Sequence, residues 1–214
     1  NWWGNPGLGY LDNVSRQGAG MLQIDKAILA TTTITPAKIA LCESQAGAKT
    51  YTLTLTNTAA KKVTYDLSYV NALSVGNTFV PAFYTSNTLV AFSSPSVSVP
   101  AKGKASLTVT ITPATGPDKA QYGGYLVFTS QAGGQVYRVP FAGFVGDYQS
   151  IQALTPTPYG FPWLAISYGG SFYGPVTGPE DWVYSMVGED IPYILIHFDH
   201  QVQLDQVGLL ALPE

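Results

Sequence analysis

The sequence predicts an all-β fold, an antiparallel two-sheet sandwich with a short helical segment before it and part of a second β domain after it. Three observations carry that reading. Apolar and hydroxyl side chains alternate with a period of two in several short runs. Gly, Pro, Lys and Asn supply turn chemistry between those runs. Only 11% of the 214 residues are charged, against the ~25% usual in globular domains, which suits sheets with Thr-rich outer faces.

The chain opens on a segment of different character. Gly18-Ala19-Gly20 turns into Met21-Leu22, and Asp25-Lys26-Ala27-Ile28 makes one helical turn. A Gly-x-Gly turn, an apolar pair and a short helix are a way to finish an α/β domain, and no later stretch repeats them. The expectation is that residues 1–32 close a domain that begins elsewhere.

Strands then follow in order. Ile34 to Leu41 reads as one strand, with Cys42 a small apolar residue at its end. Tyr51 to Asn57 alternates strictly, and Val63, Tyr65, Leu67 and Tyr69 share a face opposite Thr64, Asp66 and Ser68. Leu89–Phe92 and Val97–Val99 are short strands. After the turn Pro100 to Lys104, Ala105, Leu107, Val109 and Ile111 alternate with Ser106, Thr108, Thr110 and Thr112; β-branched residues suit such pleated surfaces. Tyr125–Ser130 and Gln135–Phe141 are joined by Gln131-Ala132-Gly133-Gly134, whose glycine pair supplies the positive φ of a hairpin turn. Seven or eight strands with no helix among them make residues 33–148 a sandwich of immunoglobulin or fibronectin type III kind. The lack of a Cys…Trp…Cys arrangement argues against an antibody-type domain.

Beyond Tyr148 the texture changes. Thr155 to Pro162 is a Pro-rich connector, and Tyr168 to Gly178 reads as a Gly- and aromatic-rich loop. Ile191 to Leu204 is the remaining strand, with Ile194, Ile196, Phe198 and His200 on an apolar face and Tyr193, Leu195, His197 and Asp199 on the other. One strand cannot make a sheet, so residues 149–214 are expected to be a linker and the start of a second, truncated β domain.

Charge and length exclude several partners. A net charge of −3 and a pI near 5.3 leave no electrostatic footprint for nucleic acid or an anionic membrane. No apolar run reaches the ~18 residues a spanning helix needs, so membrane insertion is not expected. The single cysteine, Cys42, excludes an internal disulfide framework and a Cys-rich metal site.

Chemistry-bearing residues are few. His197 and His200 would point to opposite faces of a strand, which disfavours a shared metal ion. Gly169-Gly170-Ser171-Phe172-Tyr173-Gly174 has its last glycine one place too late for a nucleophile elbow and lacks the strand–turn–helix context. Glu180-Asp181 and Glu189-Asp190 fall in loops without EF-hand spacing. No catalytic, cofactor-binding or metal-ligating residue is therefore assigned. The aromatics Trp2, Trp3, Trp163 and Trp182 are the candidate contact residues. They suit either stacking on saccharides or filling interdomain seams with one apolar and one wet side, and the seam is the preferred reading.

Gln17-Gly18-Ala19-Gly20-Met21-Leu22 resembles the final segment of the subtilisin-like serine protease catalytic domain, where Gly-x-Gly precedes two apolar residues and the last helix. Ile34 to Leu41, Thr52 to Thr58, Val63 to Leu67, Val99-Pro100-Ala101, Tyr122 to Leu126 and Val139 to Tyr148 resemble the fibronectin-III-like domain that follows it in large secreted subtilases of the C5a-peptidase, lactocepin and minor extracellular protease type. The resemblance implies a secreted, extracellular or cell-surface protein whose partners are the catalytic domain of the same polypeptide and its protein substrates. The family's Asp, His and Gly-Thr-Ser-Met-Ala segments are missing from these residues, so the resemblance implies an accessory region with no peptidase activity and no cofactor of its own. The alternative function is an independent adhesion or carbohydrate-binding module using the region from Trp163 to Tyr184.

Overall fold

In the computed structural model of the chain, the described residues are 8–76, 81–150, 158, 160–174 and 183–197. They fall into two compact units, Asn1–Tyr148 and Gln149–Glu214. In chain order the elements of the first unit are α1 (Val14–Gln17), α2 (Ile24–Leu29), β1 (Thr32–Thr35), β2 (Ile39–Glu43), β3 (Lys49–Asn57), β4 (Val63–Asn71), β5 (Ser74–Gly76), β6 (Ala82–Tyr84), β7 (Leu89–Phe92), β8 (Ser96–Val99), β9 (Lys104–Thr112), β10 (Gln121–Ser130) and β11 (Val136–Phe144).

The strands form a two-sheet sandwich. One sheet has the order β1-β3-β9-β7 and the other β2-β11-β10-β4-β8, with β5 on β10 and β6 on β5. Every pairing in the unit is antiparallel except β2 with β11. Alternation places Leu53 and Leu55 of β3, and Val109 and Ile111 of β9, in the core against Leu126, Phe128 and Phe141 of the facing sheet, all fully buried. Each such side chain contributes about 1.5–3 kcal/mol relative to exposure. The opposite registers carry hydroxyls outward, where cross-strand pairs bond to each other: Thr50 with Thr110 at 2.8 Å and Thr54 with Ser106 at 3.1 Å. These pairs satisfy side chains that would otherwise compete for the ladder.

Three sequence expectations change in detail. Ile34 to Leu41 is two strands in different sheets, because the cis Thr35–Pro36 bond and the bends at residues 36–38 redirect the chain between them. The strand expected from Tyr125 starts at Gln121, with Gly123 and Gly124 in its interior. Cys42 is exposed rather than packed: it sits at a register shift opposite Ala142/Gly143 with φ of 59°. The hairpin between β10 and β11 forms as the glycine pair requires, with Gly133 and Gly134 at φ of 80° and 101°.

In the second unit, β12 (Trp163–Tyr168), β13 (Ser171–Tyr173) and β14 (Tyr193–Leu195) make an antiparallel sheet in the order β13-β12-β14. The stretch after Tyr168, read as loop, instead turns back as a hairpin. Gly169 and Gly170, both at positive φ, supply the tight turn that pairs Tyr168 with Ser171. The strand expected over Ile191 to Leu204 is regular only over β14, and Phe198 to Leu204 lie outside the described residues. Its facing is also inverted. Tyr193, Leu195 and His197 are half-buried, while Ile194 is exposed, because Tyr193 packs edge-on against Phe172 with ring centroids 5.1 Å apart.

Candidate interaction surface

The N-terminal segment is tied to the outside of the β10 sheet by a small set of polar contacts. Asn13, 1% exposed, caps α1 by accepting from the Ser15 backbone N–H at 2.8 Å. Its Nδ2 donates to the carbonyls of Leu73 and Gln121 at 2.9 and 3.0 Å. A residue that caps a helix and also satisfies two carbonyls elsewhere fixes position as well as stability. Gly18, at φ of 55°, ends the helix, and its carbonyl accepts from the Tyr125 hydroxyl at 2.7 Å. Val14, Ala72 and Tyr125 close a small apolar cluster beneath. Gly123 permits this approach, since a Cβ there would come within 3.0 Å of the Val14 side chain. Burial raises the Tyr125 phenol above its ordinary pKa, outweighing the hydrogen bond with Gln17 that lowers it.

α2 is held differently. None of its residues is buried, and Gln135 Nε2 donates to the Lys26 carbonyl at 2.5 Å. Met21, Leu22, Ile24, Ile28 and Leu29 are 91%, 76%, 65%, 77% and 77% exposed. Five large apolar side chains within nine positions form the contiguous kind of patch that marks an interaction surface. Between this segment and the β10–β11 hairpin runs a groove. Its one wall is residues 134–138; Ala19, Met21, Gln23 and Lys26 face it. The groove continues toward Leu29, Thr31 and Tyr65. Tyr65 donates to Thr32 Oγ1 at 2.7 Å, and Tyr137 meets its ring edge-on and donates to Gln135 Oε1 at 3.0 Å.

Of the four aromatics singled out in the sequence, Trp2, Trp3 and Trp182 lie outside the described residues. Trp163 is half-buried and stacks on Phe161 with centroids 4.6 Å apart, so both rings are occupied with each other. His200, Asp199, Glu180 and Asp181 also lie outside the described residues, while His197 is half-buried. Glu189 and Asp190 serve a local turn. Ser167 Oγ donates to Glu189 at 3.3 Å, and the Ser185 N–H donates to Asp190 at 2.9 Å, holding that carboxyl below its ordinary value. Ser171 lies in the hairpin pair with Tyr168, which is not the context of a nucleophile. Among the described residues no three His, Cys, Asp or Glu side chains converge, and no helix is long and apolar enough to cross a membrane.

Asn13 and Tyr125 went unrecognised in the sequence as anchors. The signal for α1 was present in Asn13-Val14-Ser15-Arg16-Gln17-Gly18, a capping residue and a terminal glycine at the right distance. Nothing local marks Tyr125, whose partner lies 107 residues away.

Residues 39–142 match the family model of the Fn3-like domain. No curated protein sequence matches the chain. Similar solved structures include the ASH/PapD-like domain 7 of human CEP192, at 13% identity over 58% of this chain and 89% of that one, TM-score 0.40. The CooA pilin subunit from enterotoxigenic Escherichia coli is 13% identical over 55% of this chain and 98% of that one, TM-score 0.39. The CsuC–CsuE chaperone–tip adhesion subunit pre-assembly complex of Acinetobacter baumannii is 16% identical over 65% and 72%, TM-score 0.36. Two facing β-sheets over the matched span and the family match together establish that the chain carries an Fn3-like β-sandwich domain.

Proposed function

We propose that the chain is a non-catalytic accessory region of a secreted subtilisin-like serine endopeptidase, and that its sandwich braces and positions the catalytic domain and its protein substrates. The observation that supports this reading is the contrast within the N-terminal segment. Residues 11–18 are locked to the sandwich through Leu11, Asn13 and Gly18, while the next turn of chain exposes Leu22, Ile24 and Ile28. A rigid anchor carrying an uncovered apolar helix suits a chain whose helix is covered by the domain it belongs to. The Gly18-Ala19-Gly20-Met21-Leu22 resemblance names that domain, and an Fn3-like sandwich directly after it is the arrangement the family uses. In this reading the protein works outside the cell, and the serine nucleophile belongs to the covering domain.

The test is the gene sequence upstream of Asn1, together with activity-based labelling. The expected result is an upstream Gly-Thr-Ser-Met-Ala segment, fluorophosphonate labelling confined to that serine, and no labelling of residues 1–214. An upstream reading frame without that segment overturns the proposal. A direct check is Leu22→Asp with Ile28→Asp. In residues 1–214 the pair should leave the melting temperature within the small change expected of surface sites, while in the parent it should loosen the catalytic domain, measured as faster autolysis.

A further inference from the structure

The groove beside α2 has one wall made of backbone that nothing pairs with. β2 covers the outer side of β11 only from Phe141 to Phe144. Among the described residues no strand pairs with Val136–Pro140 on the side away from β10. An uncovered stretch of strand offers unpaired N–H and C=O groups to any extended chain that reaches it. Native edges are commonly blunted by a proline or an inward charge; here the only proline is Pro140, at the end where β2 takes over. Val136 is half exposed along the stretch.

The same groove carries a one-sided charge. Lys26 lines it from α2 and Arg138 from β11, and no Asp or Glu lines it. Among the described residues neither cation pairs with a carboxylate; the ion pair there is Arg16 with Asp12, outside the groove. Two unneutralised cations flanking an open strand edge select for an extended segment bearing carboxylates.

We propose that the Val136–Val139 edge of β11 and the Lys26/Arg138 pair form a peptide-binding groove that takes an extended acidic segment by strand addition. Backbone pairing to β11 supplies affinity, and alternate acidic side chains reach Lys26 and Arg138 for selectivity. The groove belongs to the first unit alone and does not depend on a parent protease.

The experiment uses residues 1–214 and three blocked peptides: acetyl-TVDVEVT-amide, its counterpart N-methylated on alternate backbone amides, and the basic acetyl-TVKVKVT-amide. Isothermal titration calorimetry should show saturable 1:1 binding of the first peptide, abolished in the second and absent for the third. Lys26→Gln with Arg138→Gln, at an unchanged melting temperature, should weaken the first by about tenfold, the scale of one lost charge contact. Equal binding of the N-methylated peptide overturns strand addition. Equal binding of the basic peptide, insensitivity to the double variant, or no saturable binding of any peptide overturns the site.

Discussion

The Tyr125 hydroxyl donates to the Gly18 carbonyl at 2.7 Å, joining the middle of β10 to the end of α1. Together with Asn13 it makes the N-terminal segment part of the sandwich instead of a loose tail. Asn13→Ala should cost about 2–4 kcal/mol, since it removes a cap and strands two buried carbonyls. Tyr125→Phe should cost only about 1 kcal/mol, because one hydrogen bond is lost and the ring stays. Urea denaturation gives both values, and hydrogen exchange should show residues 11–18 opening first in each variant. An Asn13→Ala protein with wild-type stability would mean that this anchor is not energetic.

Gly124 is a second point of close approach. A Cβ there would sit 2.5 Å from the Val70 carbonyl and 2.6 Å from the Phe141 ring. Strand backbone cannot retreat without breaking the β4–β10 ladder, so Gly124→Ala should destabilise by more than about 3 kcal/mol. Gly133→Ala meets nothing within 4 Å but adopts φ of 80°, and should cost about 1 kcal/mol from backbone strain alone. If the two variants melted together, crowding at Gly124 would be disproved.

These residues also show how far the sequence could be read. Alternation in Tyr51 to Asn57 and Ala105 to Thr112 is a local signal, and both segments are strands with the expected faces buried. Gly123 and Gly124 hid the start of β10, because glycine breaks the local pattern while the reason for it, Val14 and Phe141 pressing close, is tertiary. The same blindness applied to Ile194. The local pattern put it on the apolar face, yet burial followed the Phe172–Tyr193 contact between strands distant in sequence. The open edge of β11 is likewise invisible in sequence, since it depends on where β2 begins to pair.

Cys42 is a further case. Its φ of 59° is a left-handed conformation that costs a side-chain-bearing residue about 1–2 kcal/mol. Cys42→Gly relieves that strain but adds chain entropy to the unfolded state, so a net gain of about 0.5–1 kcal/mol is expected. The thiol is exposed and should react with a disulfide reagent in the native state as fast as in urea at equal pH. A protected thiol, or a loss of stability on Cys42→Gly, would contradict the geometry.

Tyr122 sets the alkaline limit of the fold. Its hydroxyl is buried without a hydrogen-bond partner among the described residues, and desolvation first, then Tyr51 and Cys42, push its pKa from 10.0 up to about 12. A phenol whose folded value is raised keeps its full contribution below pH 10, where both states are protonated. Between pH 10 and 12 the unfolded chain ionises and the folded one does not, so stability falls by roughly 2–3 kcal/mol across that window. Tyr51, Tyr65 and Tyr125, also raised by burial, act with the same sign. Tyr122→Phe deletes an unpartnered hydroxyl at little or no cost at pH 7 and should flatten the decline. The check is urea denaturation of both proteins at pH 8 and pH 11: an equal drop in each would remove Tyr122 as the cause.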